Sequence, residues 1–515
     1  MSQATDKGLF ARGVKRSLMS NLFDAEYEFL INALTAFTRI LPHTETEEWK
    51  IVRDTTESSA WWKTIDGEQR RGIGLIIYVP QLNACLESMV TRRVPGEGVR
   101  NVRRVPDSTE MAVCKRIVES ASQTLRRIST KVDGDVINDL ETGVEQSTAR
   151  ESKTLGTRVQ RMRRRILRSV EGTLEKLQTP APPEMVDELR RNFDDRIVVD
   201  YLKEFNQLSF DLGDLIEFLR VLSEQSYENK AMSFGVLIKR ETDASSKHNF
   251  VFPLDFEREK RFKAFTDGYR SAYVLDRAGH ILELVDLEEL GAKGVRGEHY
   301  FPEWSRNIAL SSRRGTIGLS LTRQGDILYF ENGSLKFTRR AGKWQYWNHA
   351  YIIDILQNKV RAQRVDPKKL GKVVATLYRY ALDVSFRRSG CLFVILGRVK
   401  DLQQIVRKGD ALADSKRLKQ HKDFERFLAN RTILGLDRNV VLELSAIDGA
   451  LVFSNTGRLL AYGAVLEPAK KSHIRKVEGS RSKAAVGASH FGISIKISSD
   501  GGITMYEEGK PFIEV

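Results

Sequence analysis

Apolar residues recur at helical spacing through the first third of the chain. FDAEYEFLINALTAFTRIL (23–41) and EMAVCKRIVESASQTLRRISTKV (110–132) place them three and four positions apart, which predicts helices with one buried face. Between them GIGLIIYVP (72–80) is a continuous apolar run closed by Pro80, and it predicts a strand. TLGTRVQRMRRRILRSVEGTLEKLQ (154–178) predicts a further helix carrying Arg158, Arg161, Arg163, Arg164, Arg165 and Arg168. TPAPPEM (179–185) then sets three prolines within five positions, which no helix continues through. The expected organisation is a mainly helical region over 1–180 followed by a linker over 181–205.

Beyond the linker, short strands punctuated by Gly, Asn and Asp turns alternate with helices. This pattern predicts an α/β class built on mixed sheets with flanking helices. The pattern also occurs twice. LTRQGDILYFENGSLKF (321–337) aligns with ISSDGGITMYEEGKPFI (497–513), pairing Gly325 with Gly501, Phe330 with Tyr506 and Gly333 with Gly509. SAYVLDRAGHIL (271–282) aligns with GALVFSNTGRLL (449–460), and an amphipathic helix running into an apolar strand precedes each copy, at 215–240 and 372–398. Three matches in one order predict a first unit over 206–360 and a second over 365–515.

Composition narrows the class. A chain of 515 residues is too long for one core, and 41% hydrophobic with 29% charged residues is a globular balance. No run of 18 apolar residues occurs and the first residues lack a secretory pattern, so the expectation is a cytoplasmic protein without a membrane span. Cys85, Cys114 and Cys391 are far apart and read as small core residues. The eight histidines show no metal-ligand spacing. A formal charge of +15 and a pI near 9.5 imply anionic partners.

Candidate chemistry concentrates in the second copy. Asp448 follows an apolar run and precedes Gly449 and Ala450, where side-chain bulk disappears; an acid there can hold a cation, take a proton from a hydroxyl or cap a turn. Lys470, Lys471, Arg475, Lys476, Arg481 and Lys483 crowd the loop that follows, and Gly479 and Ser480 open SKAAVGAS, a helix start suited to phosphate. RRAGKWQYWNH (339–349) mixes cations and aromatics, and Trp344 and Trp347 are expected to pack against the sheet.

IDGALVF with GSRSKAAVGASHFGISIKISSDGGI resembles the diadenylate cyclase domain found at the amino end of the DisA family, over roughly residues 370–515. That family's signature is Asp-Gly-Ala, then Gly-Thr-Arg-His-Arg-Ala-Ala, then a Ser-Glu-Glu turn. The resemblance implies an α/β domain that condenses two ATP into cyclic di-AMP, with Mg²⁺ or Mn²⁺ and two domains meeting face to face. It assigns Asp448 to the ribose 3′-hydroxyl, Gly449 and Ala450 to the nucleotide, and Ser480 and Arg481 to phosphate. Ser482 stands at the family's histidine, Lys483 at its second arginine, and Ser499 with Asp500 at its Glu-Glu step. A serine neither ligates metal nor polarises phosphate as imidazole does, and a lysine lacks the bidentate fork. SSDGG (498–502) is similar to the turn of the family's sensor-like branch.

The first copy offers Arg270 and Ser271 at the Asp448–Gly449 place, with Asp267 and Gly268 just before, and SSRRGTIG (311–318) opposite the basic loop. It reads as a structural half-domain that could partner the second copy internally in place of a homo-oligomer. The leading expectation is therefore a nucleotide-binding protein of second-messenger signalling, taking ATP or a cyclic dinucleotide on Gly449, Ala450, Gly479, Ser480, Arg481, Ser482 and Lys483, as a sensor. The alternative is an active cyclase with Asp448 catalytic and a metal held by Asp448 and Asp500; no cofactor is expected otherwise. The third is a nucleic-acid-binding protein working through the Arg158–Arg168 helix.

Overall fold

The computed structural model describes residues 24–42, 44–46, 49–52, 73–79, 84–92, 107–129, 192–227, 229–240, 252, 262, 265–291, 298–361, 367–407, 409–412, 428, 431–467 and 479–515. These fall into two units, Met1–Arg93 with Val102–Phe205, and Val94–Asn101 with Asn206–Val515. The arginine-rich stretch 154–178, the TPAPPEM segment and the lysines of 470–476 lie outside the described residues.

In the first unit, helix α1 (Asp24–Ile40) and helix α2 (Ser108–Ser129) form where apolar spacing predicts them. The strand candidate becomes β3 (Ile73–Val79), but it has company: β1 (Thr44–Thr46), β2 (Lys50–Val52) and β4 (Ala84–Arg92) complete an antiparallel sheet centred on β4. Three-residue strands carry too little periodicity to stand out in a sequence. Helix α3 (Phe193–Phe205) corrects the linker expectation, since residues 193–205 are helical with Phe193, Ile197, Val198, Tyr201 and Leu202 buried. Its first turn holds Asp194 and Asp195, as a helix start favours, and Arg39 of α1 grips Asp194 through Nε at 2.5 Å and Nη2 at 2.6 Å.

The second unit opens with α4 (Leu212–Ser223), capped by Asp211, whose side chain accepts from the Gly213 amide at 2.8 Å. A short ribbon of β5 (Ser226–Tyr227) and β6 (Lys230–Ala231) leads into β7 (Phe234–Lys239), β8 (Ser271–Leu275) and β9 (Ile281–Asp286). Then come α5 (Leu287–Gly291), a 3₁₀ turn at Glu303–Ser305, α6 (Arg306–Ser311), and β10 (Thr316–Leu321), β11 (Ile327–Glu331), β12 (Ser334–Arg340) and β13 (Lys343–Tyr346). Helices α7 (His349–Arg361) and α8 (Pro367–Arg387) bridge to the second copy. That copy runs β14 (Cys391–Leu396), α9 (Leu402–Ile405), α10 (Arg438–Ala446), β15 (Ala450–Ser454), β16 (Leu459–Ala464), α11 (Ser480–Ala488), β17 (Gly492–Ile497), β18 (Ile503–Glu507) and β19 (Lys510–Glu514). The chain is of α/β class, with two mixed sheets.

The duplication is a property of the fold. The first sheet runs β13-β12-β11-β10-β7-β8-β9 and the second β19-β18-β17-β14-β15-β16, identical in order once β13 is set aside. In each the first strand pairs in parallel with the second and antiparallel with the fourth, β7 with β8 and β10, β14 with β15 and β17. Registers agree too: the bulge between Tyr329 and Phe330 recurs between Met505 and Tyr506, and the turn closing on Gly279 recurs at Gly457.

The copies stack front to back. Residues of the first sheet that face α6, among them Leu237, Ala272 and Val274, share one core with α7, α8 and the strand face of Phe393, Ile395, Ile493 and Ile495 in the second. The other face of the second sheet packs Leu392, Val394 and Val452 against Ala485 and Ala488 of α11. Helix α8 is therefore covered on both sides, which explains why Leu377, Tyr378, Ala381 and Leu382 are all buried. This corrects the expected face-to-face pairing: each copy turns its α6 or α11 side the same way. Polar clamps hold the joint. Arg438 chelates buried Asp383 through Nε at 2.5 Å and Nη2 at 2.8 Å and also grips Glu303, while Arg340 reaches from β12 to the Gly501 carbonyl at 3.0 Å.

Candidate functional site

The described residues singled out in the second copy collect at one end of its sheet. Strands β14 and β15 begin there and β17 ends there, because Ala450 pairs with Leu392 and Leu392 with Lys496. Asp448 stands exposed two residues ahead of Ala450. The glycine beside it has a structural cause: Gly449 adopts φ +120°, and a Cβ there would lie 2.4 Å from the Gly463 carbonyl carbon. Its bareness lets β15 and β16 meet at their bulge. Ala450 is 1% exposed, its methyl inside the α11 core.

Helix α11 brings its amino end over the same edge. Gly479 precedes it at φ +83° and, having no side chain, gives the first-turn amides no side-chain cap, so among the described residues that helix start is suited to an external acceptor. Arg481 lies flat on the bare backbone of Gly390, immediately before β14; a Cβ at Gly390 would sit 2.1 Å from Arg481 Nη1. Ser482 Oγ accepts from Lys496 Nζ at 3.2 Å, and Lys483 is exposed one residue further on. Arg481, Lys483 and Lys496 thus surround an uncapped helix start, an arrangement that binds anions through charge and N–H donors together.

Two of these groups escape a reading of the sequence. Lys496 is the one charged position of ISIKI, and because it keeps the apolar-polar alternation of the strand it reads as an ordinary solvent-facing lysine. Gly390 follows Arg387, Arg388 and Ser389 with no motif around it, and its need for bareness arises solely from the approach of Arg481. Cys391 beside it is a buried thiol pushed up to about 12, chiefly by burial and against the pull of Arg481. Cys114 is likewise buried and raised by burial, so both described free cysteines are inert core residues as expected.

Asp500 does something simpler than the resemblance implies. It sits in the turn between β17 and β18, where Ser498 Oγ donates to its Oδ1 and the Gly502 amide follows at 3.2 Å. These bonds, the serine's first, hold its carboxyl below the usual range. Asp448 and Asp500 are separated by two to three strands, roughly 10–14 Å at the ordinary strand spacing. One cation with metal–oxygen bonds of about 2.0–2.6 Å does not fit between them, so the shared Mg²⁺ or Mn²⁺ site expected on this pair is not supported by the fold. Among the described residues no group of three His, Cys, Asp or Glu side chains is placed to hold a metal ion.

The first copy also departs from expectation. Helix α6, not SSRRG, occupies the place of α11; Arg313 and Arg314 follow that helix at the far end of the sheet, where Thr316 pairs with Lys239. Asp267 caps its own turn, accepting from the amides of Tyr269 at 2.8 Å, Arg270 at 2.7 Å and Ser271 at 3.2 Å. Trp344 and Trp347 are buried, with Trp347 Nε1 donating to Thr338 Oγ1 at 3.0 Å, so they pack as expected.

No family model matches the sequence, and no curated protein does. Among solved structures the chain is similar to DacA from Staphylococcus aureus, crystallised as a double mutant, at 20% identity over 28% of this chain and 87% of that one, with a TM-score of 0.21. A hypothetical membrane spanning protein from Bacillus cereus is similar at 15% identity over 32% and 74%, also at 0.21. Likenesses this distant assign neither fold nor function. No helix among the described residues is long and apolar enough to cross a membrane.

Proposed function

We propose that the second copy is a nucleotide-binding domain that seats the phosphates of ATP or a cyclic dinucleotide on the amino end of α11, as a sensor in second-messenger signalling. The observation that carries this reading is the convergence of Arg481, Ser482 and Lys496 on a helix start without a side-chain cap. Arg481 is pre-positioned by Gly390, so little side-chain entropy is lost when it meets an anion. Replacing the resemblance's histidine by a serine that accepts from a lysine adds positive charge at the phosphate position. That substitution favours holding a phosphate over polarising one.

Exposed Asp448 at the same edge supports a second reading, an active diadenylate cyclase in which its carboxylate takes the proton of a ribose hydroxyl. One experiment separates the two. Purified protein is incubated with ATP and Mg²⁺ or Mn²⁺, products are resolved, and thermal shifts with ATP and cyclic di-AMP are recorded alongside. Sensing predicts a raised melting temperature without product, lost in Arg481→Ala. Formation of cyclic di-AMP that disappears in Asp448→Asn would sink the sensor reading.

A further inference from the structure

The first copy, which its motif mismatches mark as structural, contains a cavity of about 500 Å³ at the end of its sheet that corresponds to the Asp448 edge of the second. Three aromatic and three cationic side chains face it: Tyr269, Trp304 and Phe386 with Arg270, Arg323 and Arg387. We propose that this cavity is a second ligand site, for a nucleoside phosphate, whose base stacks on the aromatic walls and whose phosphate meets the arginines. It stands on the cavity and is independent of the function proposed for the second copy.

The volume lies within the range of small-molecule sites, about 300–1,000 Å³. Its walls are fixed before any ligand arrives. Tyr269 and Arg270 ride on the turn pinned by Asp267, and Asn307 Nδ2 donates to the Tyr269 carbonyl at 3.4 Å. Thr322 begins the opposite turn, which carries Arg323; its Oγ1 accepts from the Asp326 amide at 3.0 Å, and buried Asp326 pairs with Arg388 Nη2 at 2.7 Å. Phe386 is 3% exposed and is held by the Arg340 guanidinium, whose Cζ lies 4.3 Å from its ring centroid. Tyr269, by contrast, is 40% exposed, an aromatic left open at the rim of a formed cleft.

Charge selects the ligand class. Among the described residues Asp267 is the one carboxylate on the wall, and its Oδ1 is already engaged by three amides. The carboxylates paired with the arginines are distant and exposed: Glu288 at 4.0 Å from Arg270 and Glu443 at 3.6 Å from Arg387. Pairs of that kind contribute little and yield readily to a phosphate, whose oxygens accept from a guanidinium in bidentate fashion. Flat aromatic faces beside guanidinia suit a heterocyclic base. None of these cations corresponds to Arg481 or Lys496, so the two copies would bind with different residues.

The test uses the full chain and isothermal titration with AMP, adenosine and inorganic phosphate. In an Arg481→Ala, Lys496→Ala background, which disables the second copy's site, AMP is expected still to bind, at least tenfold tighter than adenosine or inorganic phosphate. Adding Arg270→Glu and Arg323→Glu, both exposed side chains, is expected to weaken that binding at least tenfold while the melting temperature stays unchanged. Photolabelling with 8-azido-AMP is expected to mark the peptide carrying Tyr269 or that carrying Trp304. No AMP binding in the background variant, equal binding of adenosine, or indifference to the two glutamates would each overturn the proposal. If the wild type binds nucleotide and Arg481→Ala with Lys496→Ala alone abolishes it, this site falls and the second copy's stands. If the two glutamates alone abolish it, the second copy's site falls and this one stands.

Discussion

The two copies of the α/β unit share strand order, register and a bulge, yet they solve the same sheet end in opposite ways. In the second, a glycine before β14 makes room for Arg481, and Lys496 projects from β17 beside Ser482. In the first, Ser233 stands where Gly390 does and Ser320 where Lys496 does, while cations arrive from the turns at Arg270 and Arg323 and from the end of α8 at Arg387. The second copy's edge has a prepared helix start, whereas the first copy's has a walled cleft. A repeated fold thus conserves backbone geometry and leaves the chemistry of its edge to a handful of side chains.

The largest expected effect tests whether the copies are truly one body. Arg438→Ala removes the guanidinium paired with Asp383, whose side chain is 2% exposed, and leaves Glu303 with the longer Arg306 contact at 3.5 Å. A buried pair broken on one side costs about 3–5 kcal/mol. Urea unfolding followed by hydrogen exchange in peptides from each copy is expected to show both copies losing stability together, because tryptophans lie only outside 365–515; a second copy that opens alone would break the front-to-back core.

A smaller effect sharpens the difference between Gly449 and its counterpart Ser271. Gly449→Ala forces a side chain into φ +120° against Gly463, and a loss of about 1–3 kcal/mol is expected from strain of this kind. Ser271, whose backbone φ is not positive, should tolerate alanine at a cost within about 0.5–1.5 kcal/mol, the net worth of its hydroxyl's bond to the Phe265 carbonyl at 3.0 Å. Equal losses at the two positions, read from denaturation midpoints, would mean that the bulge at Gly449 is not a special feature of the second copy.

Binding should separate from stability at Lys496. Lys496→Ala is expected to lower affinity for ATP about tenfold, as removal of one charged hydrogen bond does, with the melting temperature of the free protein unchanged. The counterpart Ser320→Ala should leave that affinity alone. The smallest effect is a pH dependence. Because the folded pKa of Asp500 is depressed by Ser498 and Gly502, its charged form adds stability above the usual carboxylate range, and that contribution disappears as pH falls through the folded value. Asp500→Asn is expected to flatten the acid limb of the stability curve below about pH 4, while Gln324, its neutral counterpart in the first copy, contributes no such limb.

Long apolar periods made α1, α2, α4 and α8 readable, and matched turns made the duplication readable to the residue: Gly325 with Gly501 and Gly279 with Gly457 are structural equivalents. The candidate site was half readable. Asp448, Ser480 and Arg481 carry local motifs, whereas Lys496 and Gly390 gain meaning only from what lies across the sheet. The packing of Ala450 and Gly449 was not readable, because small residues look the same whether they face a ligand, a core or a neighbouring backbone. The cleft of the first copy was not readable at all: its six walls come from four separate segments spread between residues 269 and 387, and no short motif joins them.

By itself the sequence determined the α/β class, the repeat and the basic edge, because hydrophobic period, turn glycines and charge are local quantities. Tertiary structure alone decided that the copies stack front to back, that Asp448 and Asp500 stand strands apart, and that arginines and aromatics from distant segments enclose one cavity. Those are distances between chain segments, and distance across a core is set by packing, which no local pattern encodes.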